Sequence, residues 1–181
     1  YNFGVKRTDD LRIQVLDYKP ASYRIPEKKV GFRDDKRRVT LIGTGGTVAS
    51  RLDYRTGAVI PAFTPSELFS AVPELAEICN LTPKMVMNVL SENIRPEDWI
   101  KIAKEVDKEI VSSSSDGIVI AHGTDTMSYT ASALSFMLRN PPLPIVMVGS
   151  QRSSDRPSSD AALNLINACI FASQSDVGEV V

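Results

Sequence analysis

At 181 residues, with 43% hydrophobic and 24% charged side chains, the chain has the length and composition of an ordinary soluble globular protein with a real core. No apolar run approaches the roughly 18 residues of a membrane span and no signal-peptide pattern opens the chain, so membrane and secreted classes are set aside and the expected compartment is the cytoplasm. The net charge of −1 hides an asymmetry, because residues 1–38 hold eleven Lys/Arg against six Asp/Glu, whereas the rest holds ten against sixteen.

That basic arm has two readings. It can meet something anionic, such as RNA or an acidic partner, or it can be a solvated linker; the lack of interleaved aromatics over most of the run favours the linker. Cys79 and Cys169 are far apart, without CxxC spacing or neighbouring ligands, and read as small buried apolar side chains rather than as a disulfide or zinc site.

Taken in order, Tyr1–Leu16 alternates like strands around Thr8-Asp9-Asp10 and suggests the last hairpin of a small β domain over residues 1–17. One hairpin is not stable alone, so the chain is expected to start part-way through that domain. Residues 18–38, with Pro20, Pro26 and many charges, read as a basic linker. From Val39 to Val181 strands and helices alternate, which predicts an α/β domain with an open parallel sheet and flanking helices.

Within that domain, Val39–Ile42 reads as a buried strand leading into Gly43-Thr-Gly-Gly-Thr47. Asp53–Gly57 is turn-like, Val59–Phe63 is extended, and Thr64-Pro-Ser-Glu67 has the form of a capping box opening a helix that Pro73 interrupts. A second strand is expected over Met85–Leu90, ending at Ser91-Glu92-Asn93, and an amphipathic helix over Glu97–Ser112. The third strand, Gly117–Ala121, is apolar enough to be central and runs into His122-Gly-Thr-Asp-Thr126. A helix over about Thr126–Leu138, a strand over Pro144–Val148, a helix over Ser159–Ser173 and the start of one more strand at Gly178–Val181 complete the pattern.

Thr44/Thr47, Ser91/Glu92, Thr124/Asp125 and Ser150/Gln151 then each follow the C-terminal end of a predicted parallel strand, the edge of an open sheet where ligands bind. Any one of them alone would pass for a cap or turn former, but four converge on one pocket. The glycine loop is neither a Gly-x-Gly-x-x-Gly nor a Walker A sequence, and no G-x-S-x-G elbow is present. The single histidine, His122, precedes a glycine turn and reads as a packed, hydrogen-bonded residue rather than a base or a zinc ligand. A threonine nucleophile remains, needing a proton acceptor and an oxyanion hole, which backbone N–H groups of the glycine-rich turn can supply.

Thr44-Gly-Gly-Thr47 after one apolar strand and His122-Gly-Thr-Asp-Thr126 after another resemble the paired signature of the bacterial-type L-asparaginase family. Asp125–Leu138 is similar to a helix of the cytoplasmic-type members. Gln151–Asp160 and the basic leader resemble the D subunits of archaeal glutamyl-tRNA(Gln) amidotransferases. The resemblance implies Thr47 as primary nucleophile, Thr124 as second catalytic threonine, and Asp125 as binder of the substrate α-amino group. It implies substrate contacts for Ser91, Gly46 and Gly123; Glu92 stands where the secreted enzymes usually have Gln, and Tyr54 matches the family's loop tyrosine with different spacing. A catalytic lysine is implied beyond Val181. The implied activity is ammonia release from glutamine or asparagine, supplied to a transamidase partner subunit that acts on Glu-tRNA(Gln). No metal or cofactor is implied in this chain, ATP and magnesium being used by the partner, and a homodimer is expected. A free-standing asparaginase and a non-catalytic tRNA- or partner-binding scaffold are the alternatives.

Overall fold

The computed structural model describes residues 31–45, 50–52, 59–61, 72–152 and 156–181. The expected hairpin over residues 1–16, Gly46, Thr47, Tyr54 and the helix opening at Thr64 lie outside the described residues.

Four strands, β1 (Arg38–Gly43), β4 (Asn80–Met85), β5 (Gly117–Ala121) and β6 (Ile145–Val148), form one parallel sheet in the order β4-β1-β5-β6. A fifth position begins beside β6, where Val180 bridges Ile145 in parallel. Between β1 and β4 the chain makes a short antiparallel hairpin, β2 (Ser50–Leu52) with β3 (Val59–Pro61). The described helices are α1 (Leu75–Ile78), α2 (Pro96–Val111), α3 (Met127–Met137) and α4 (Ala161–Gln174).

The two faces of the sheet follow from strand alternation. Val39 and Leu41 of β1, with Val119 and Ala121 of β5 and Val146 and Val148 of β6, pack against Leu165, Ala168, Cys169 and Ala172 of α4 and Leu75 of α1. Ile42, Ile118, Ile120 and Ile145 point the other way, onto Ile102, Ala103 and Val106 of α2 and Leu134 of α3. Both faces are thus covered, as the apolar Gly117–Ala121 sequence requires. The Trp99 indole N–H donates to Thr130 Oγ1 at 2.9 Å and locks α2 to α3.

One element departs from the sequence expectation. The second strand of the sheet is β4 at Asn80–Met85, not Met85–Leu90. Pro83 argues against a strand, but β4 lies at the sheet edge, where a missing N–H leaves no ladder bond unmade. Residues 86–89 continue alongside β1 without a ladder of their own, with Val86 N–H donating to Gly43 O at 2.9 Å and Val89 N–H to Thr44 O at 3.1 Å. Ser91 and Glu92 therefore follow an extended run rather than the strand itself, on a 3-10 turn over Ser91–Asn93.

The buried cysteines behave as expected, both free and both inside the α4-side core. The end of the basic arm is engaged with acids of the same chain. Arg33 pairs with Asp35 and Glu77, Lys36 with Glu77, and Arg37 and Arg38 with Asp116. Asn80 adds main-chain ties, its Nδ2 donating to Arg33 O at 2.6 Å and Lys36 O at 2.9 Å.

Glu109 of α2 is the one buried acid among the described residues, at 2% exposure. Its carboxylate accepts from Thr40 Oγ1 at 2.8 Å, from Ser114 Oγ at 2.9 Å and from the Lys84 ammonium. Burial works against its ionisation, but these donors prevail and hold the carboxyl below the usual glutamate range. The stability it contributes is present above the unfolded glutamate pKa and is lost as pH falls through the folded one. Thr40→Val removes a donor from a buried carboxylate and is expected to lower unfolding free energy by about 1–3 kcal/mol, read as a drop in urea midpoint at unchanged slope. Glu109→Gln should flatten the acid limb of stability against pH.

Candidate active site

The strand order reverses direction between β1 and β5, so the crevice beyond their carboxyl ends is the switch point of the sheet. The two signature loops leave from there. Thr44, fully buried, donates both its N–H, at 3.0 Å, and its hydroxyl, at 2.9 Å, to the carbonyl of Ala121. Its hydroxyl is thereby engaged in joining β1 to β5. Gly45 has φ +107°, and an added Cβ would strike the Val89 backbone, with Val89 N at 2.7 Å. Glycine is needed there for both conformation and space.

The second loop begins at His122, whose N–H continues the sheet by donating to Val148 O at 2.8 Å. The His122 ring is fully buried with Nδ1 2.7 Å from Gly123 O. Since a carbonyl only accepts, Nδ1 carries the proton and Nε2 does not. Nε2 has no hydrogen-bond partner among the described residues. Burial lowers the pKa of the ring, and the Gly123 hydrogen bond opposes this only in part, so the neutral form is favoured. A packed turn residue, as the sequence suggests, is what the structure contains.

Beyond Gly123 a 3-10 turn over Thr124–Thr126 leads into α3 and faces the turn over Ser91–Asn93. Two hydrogen bonds join them. Ser91 Oγ donates to Asp125 Oδ2 at 3.1 Å, and Thr126 Oγ1 donates to Ser91 O at 2.8 Å. The turns approach so closely at Gly123 that an added Cβ would lie 2.6 Å from Ser91 Oγ and 2.7 Å from Ser91 Cβ. Ser91 and Gly123 are buried, Thr124 is half-buried, and Asp125 and Glu92 are exposed. The loop after β6 joins them, since a Cβ on Gly149 would meet Thr124 Cγ2 at 2.9 Å.

Of the residues expected from sequence, Ser91, Gly123, Thr124 and Asp125 are gathered at one edge of the sheet, with Glu92 on the same turn as Ser91. Gly46, Thr47 and Tyr54 lie outside the described residues. A roomy site is not enclosed by these residues alone, but the chemistry is defined: an exposed carboxylate next to a hydroxyl suits a ligand carrying an ammonium group beside a hydrogen-bond acceptor. Sequence reading gives no role to Thr126, which ties the two turns together, nor to Ala121, whose contribution is a backbone carbonyl. Among the described residues no group of three His, Cys, Asp or Glu gathers to hold a metal.

Two outcomes follow from this geometry. Gly123→Ala should push Ser91 away from Asp125 and weaken ligand binding, read as a rise in KM or Kd, whereas Ser91→Ala in the Gly123→Ala background should add little further loss. Because the His122 pKa is lower folded than unfolded, the unfolded state binds more protons between the two values. Stability is therefore full above about pH 6.5 and declines as pH falls from there toward the folded pKa. NMR of His122, the one histidine of the chain, should show a titration midpoint below its ordinary value.

Comparison with known proteins places this arrangement. The family model described as Asparaginase, N-terminal matches residues 38–181. The D subunit of the glutamyl-tRNA(Gln) amidotransferase of Pyrococcus horikoshii is 53% identical over 182 residues, covering 100% of this chain and 41% of that protein. The corresponding D subunit of Archaeoglobus fulgidus is 51% identical over 183 residues, again covering 100% of this chain and 41% of the relative. The chain thus spans about two-fifths of the length of these relatives. Among solved structures, the thermostable L-asparaginase from Thermococcus kodakarensis superposes with a TM-score of 0.64 at 39% identity, over 75% of this chain and 40% of that one. A probable cytoplasmic L-asparaginase from Campylobacter jejuni gives a TM-score of 0.69 at 31% identity, over 80% of this chain and 43% of that one. With its parallel sheet, its two signature loops and a family match over nearly all of the described residues, the chain belongs to the asparaginase family.

Proposed function

We propose that this chain carries the nucleophile and substrate-clamp half of an amidohydrolase subunit that releases ammonia from glutamine or asparagine. The observation that carries the reading is the Ser91–Asp125 hydrogen bond beside Thr124. An amino-acid amide presents an ammonium and a carboxylate on its α-carbon; Asp125 would take the first, and the Ser91 hydroxyl, released from Asp125 as the ammonium engages it, would turn its proton to the second, with Glu92, Gly46 and Gly123 lining the approach.

In the proposed reaction the Thr47 hydroxyl attacks the side-chain amide carbon, assisted by Thr124 and a proton acceptor outside the described residues, which the family resemblance gives as a lysine. A C–O bond forms, the C–N bond breaks, and the nitrogen leaves as ammonia with the proton from Thr47. Water then cleaves the ester and returns the proton. Backbone N–H groups of the glycine loop would hold the oxyanion, and Tyr54 would cover the substrate. No cofactor enters this half of the chemistry.

The ammonia is destined, on this reading, for a transamidase partner subunit that uses ATP and magnesium on Glu-tRNA(Gln), with the chain working as a cytoplasmic homodimer. Support comes from coverage: the amidotransferase D subunits align with all of this chain, including residues 1–37 that the family model does not match. The domain division into 1–17, 18–38 and 39–181 is kept as part of this proposal. A free-standing asparaginase is the second reading, favoured by the superposition on two such enzymes.

The test is ammonia release by the full-length protein with and without partner subunit, Glu-tRNA(Gln) and ATP. Stimulation by the three together supports the tRNA-linked reading; high asparagine turnover by the protein alone supports the free enzyme. Thr47→Ala and Thr124→Ala should each lower kcat by about a hundredfold or more. Ammonia release by the complex that both variants leave unchanged would put the catalysis elsewhere and leave this fold as a binding scaffold.

A further inference from the structure

The loop that follows β6 contributes no residue to the proposed reaction, yet it is held by an unusually dense set of bonds. The Asp160 carboxylate, at the start of α4, accepts the Gln151 N–H at 3.1 and 3.0 Å through its two oxygens and the Arg152 N–H at 3.1 Å. Asn164, one turn along the helix, donates from Nδ2 both to Asp160 Oδ2 and to Gly149 O, each at 3.0 Å. The Ser159 hydroxyl donates to Arg152 O at 2.9 Å. Two side chains of one helix thereby fix Gly149 to Arg152 at main-chain groups.

Gly149 is where this frame meets the site. Its Cα is packed so that a Cβ would fall 2.9 Å from Thr124 Cγ2 and 3.1 Å from His122 O. The methyl group of Thr124 therefore rests on the backbone of Gly149. A threonine has one strongly restricted side-chain torsion, so a wall against its methyl also sets the direction of its hydroxyl.

We propose that Asp160 and Asn164 are positioning residues for Thr124, acting through the Gly149 backbone. They bind no substrate. The carboxylate gathers the loop N–H groups, Asn164 fixes the Gly149 carbonyl, and the Gly149 backbone sets the Thr124 rotamer. The donors that converge on Asp160 also keep its carboxyl below the usual range, the Gln151 N–H foremost. It is thus an anion that the loop can gather around at neutral pH.

The proposal rests on the amidohydrolase reading, and the experiment separates the two. In the full-length protein with its partner subunit, ammonia release is measured for Asp160→Asn, Asp160→Ala and Asn164→Ala. A displacement of about 1 Å in a catalytic group costs on the order of a hundredfold, so Asp160→Ala should lower kcat by about ten- to a hundredfold with KM within about twofold. Asp160→Asn, which retains one acceptor oxygen, should recover part of the loss. The same substitutions are repeated in Thr124→Ser, which keeps the hydroxyl but lacks the methyl. There the penalty of Asp160→Asn should shrink at least threefold, because the surface that Gly149 supports is gone.

A kcat unchanged in the folded variants, or a loss of equal size in both backgrounds, overturns the proposal. Thr47→Ala is the control for the functional reading: if it leaves ammonia release intact, the assignment of the reaction to this site fails, whatever Asp160 does. Should Asp160→Ala fold poorly, the Asp160→Asn and Asn164→Ala comparisons decide the matter alone.

Discussion

The carbonyl oxygen of Ala121 is the junction on which the site depends. It accepts two bonds from one residue, the N–H and the hydroxyl of Thr44, at the point where β1 and β5 end and their loops diverge. A carbonyl oxygen has two lone pairs, and here both are used in a fully protected position. The consequence is geometric. The first signature loop can leave the sheet only in the direction that Gly45 permits, past the backbone of Val89, and the second must turn at His122 and Gly123 toward Ser91. Two loops more than 70 residues apart in sequence are in this way referred to the same atom.

Much of this was legible in the residue pattern, and the reasons differ from element to element. Gly117–Ala121 reads as a central strand because every residue is apolar or small, and only a strand buried on both faces requires that. The helix over Pro96–Val111 is legible from Trp99, Ile102, Ala103, Val106 and Ile110 at helical spacing. The strand at Asn80–Met85 was not, since Pro83 and the polar Asn80, Thr82 and Lys84 contradict a buried strand; only its edge position, a tertiary fact, reconciles them. The candidate site shows the same division. The signature residues announce themselves, whereas the Thr126 tie to Ser91 and the Asp160 clamp join residues whose proximity no local periodicity encodes.

Glu109 illustrates a further limit. On the helical repeat it shares the inward side of α2 with Ile102 and Val106, and a charge there ordinarily costs several kcal/mol. The residues that accommodate it come from three other places, Thr40 on β1, Lys84 on β4 and Ser114 beyond α2. Hydroxyls that would look like ordinary surface serines and threonines are here the solvation shell of a buried ion. The α4 side of the sheet is built on an apolar cluster, with Cys79 and Cys169 in its core. The buried ion thus sits between β1, β4 and α2, and the chain between those last two elements leads through Ser91 to the site.

The clamp of Ser91 and Asp125 recognises, on the proposed reading, only what glutamine and asparagine have in common, an α-ammonium and an α-carboxylate. Their difference is one methylene, worth about 1–3 kcal/mol in a shaped pocket, and it falls at the far end of the side chain, where the nucleophile must reach the amide carbon. Selection between the two amides therefore cannot be built into the turn that holds Asp125. On that reading it falls to whatever sets the reach from Asp125 to the nucleophile, not to the groups that hold the α-carbon. On the same reading, the bonds that tie the Thr124–Thr126 turn to Ser91 serve only the shared α-groups, so the reach to the amide can change without altering the anchor.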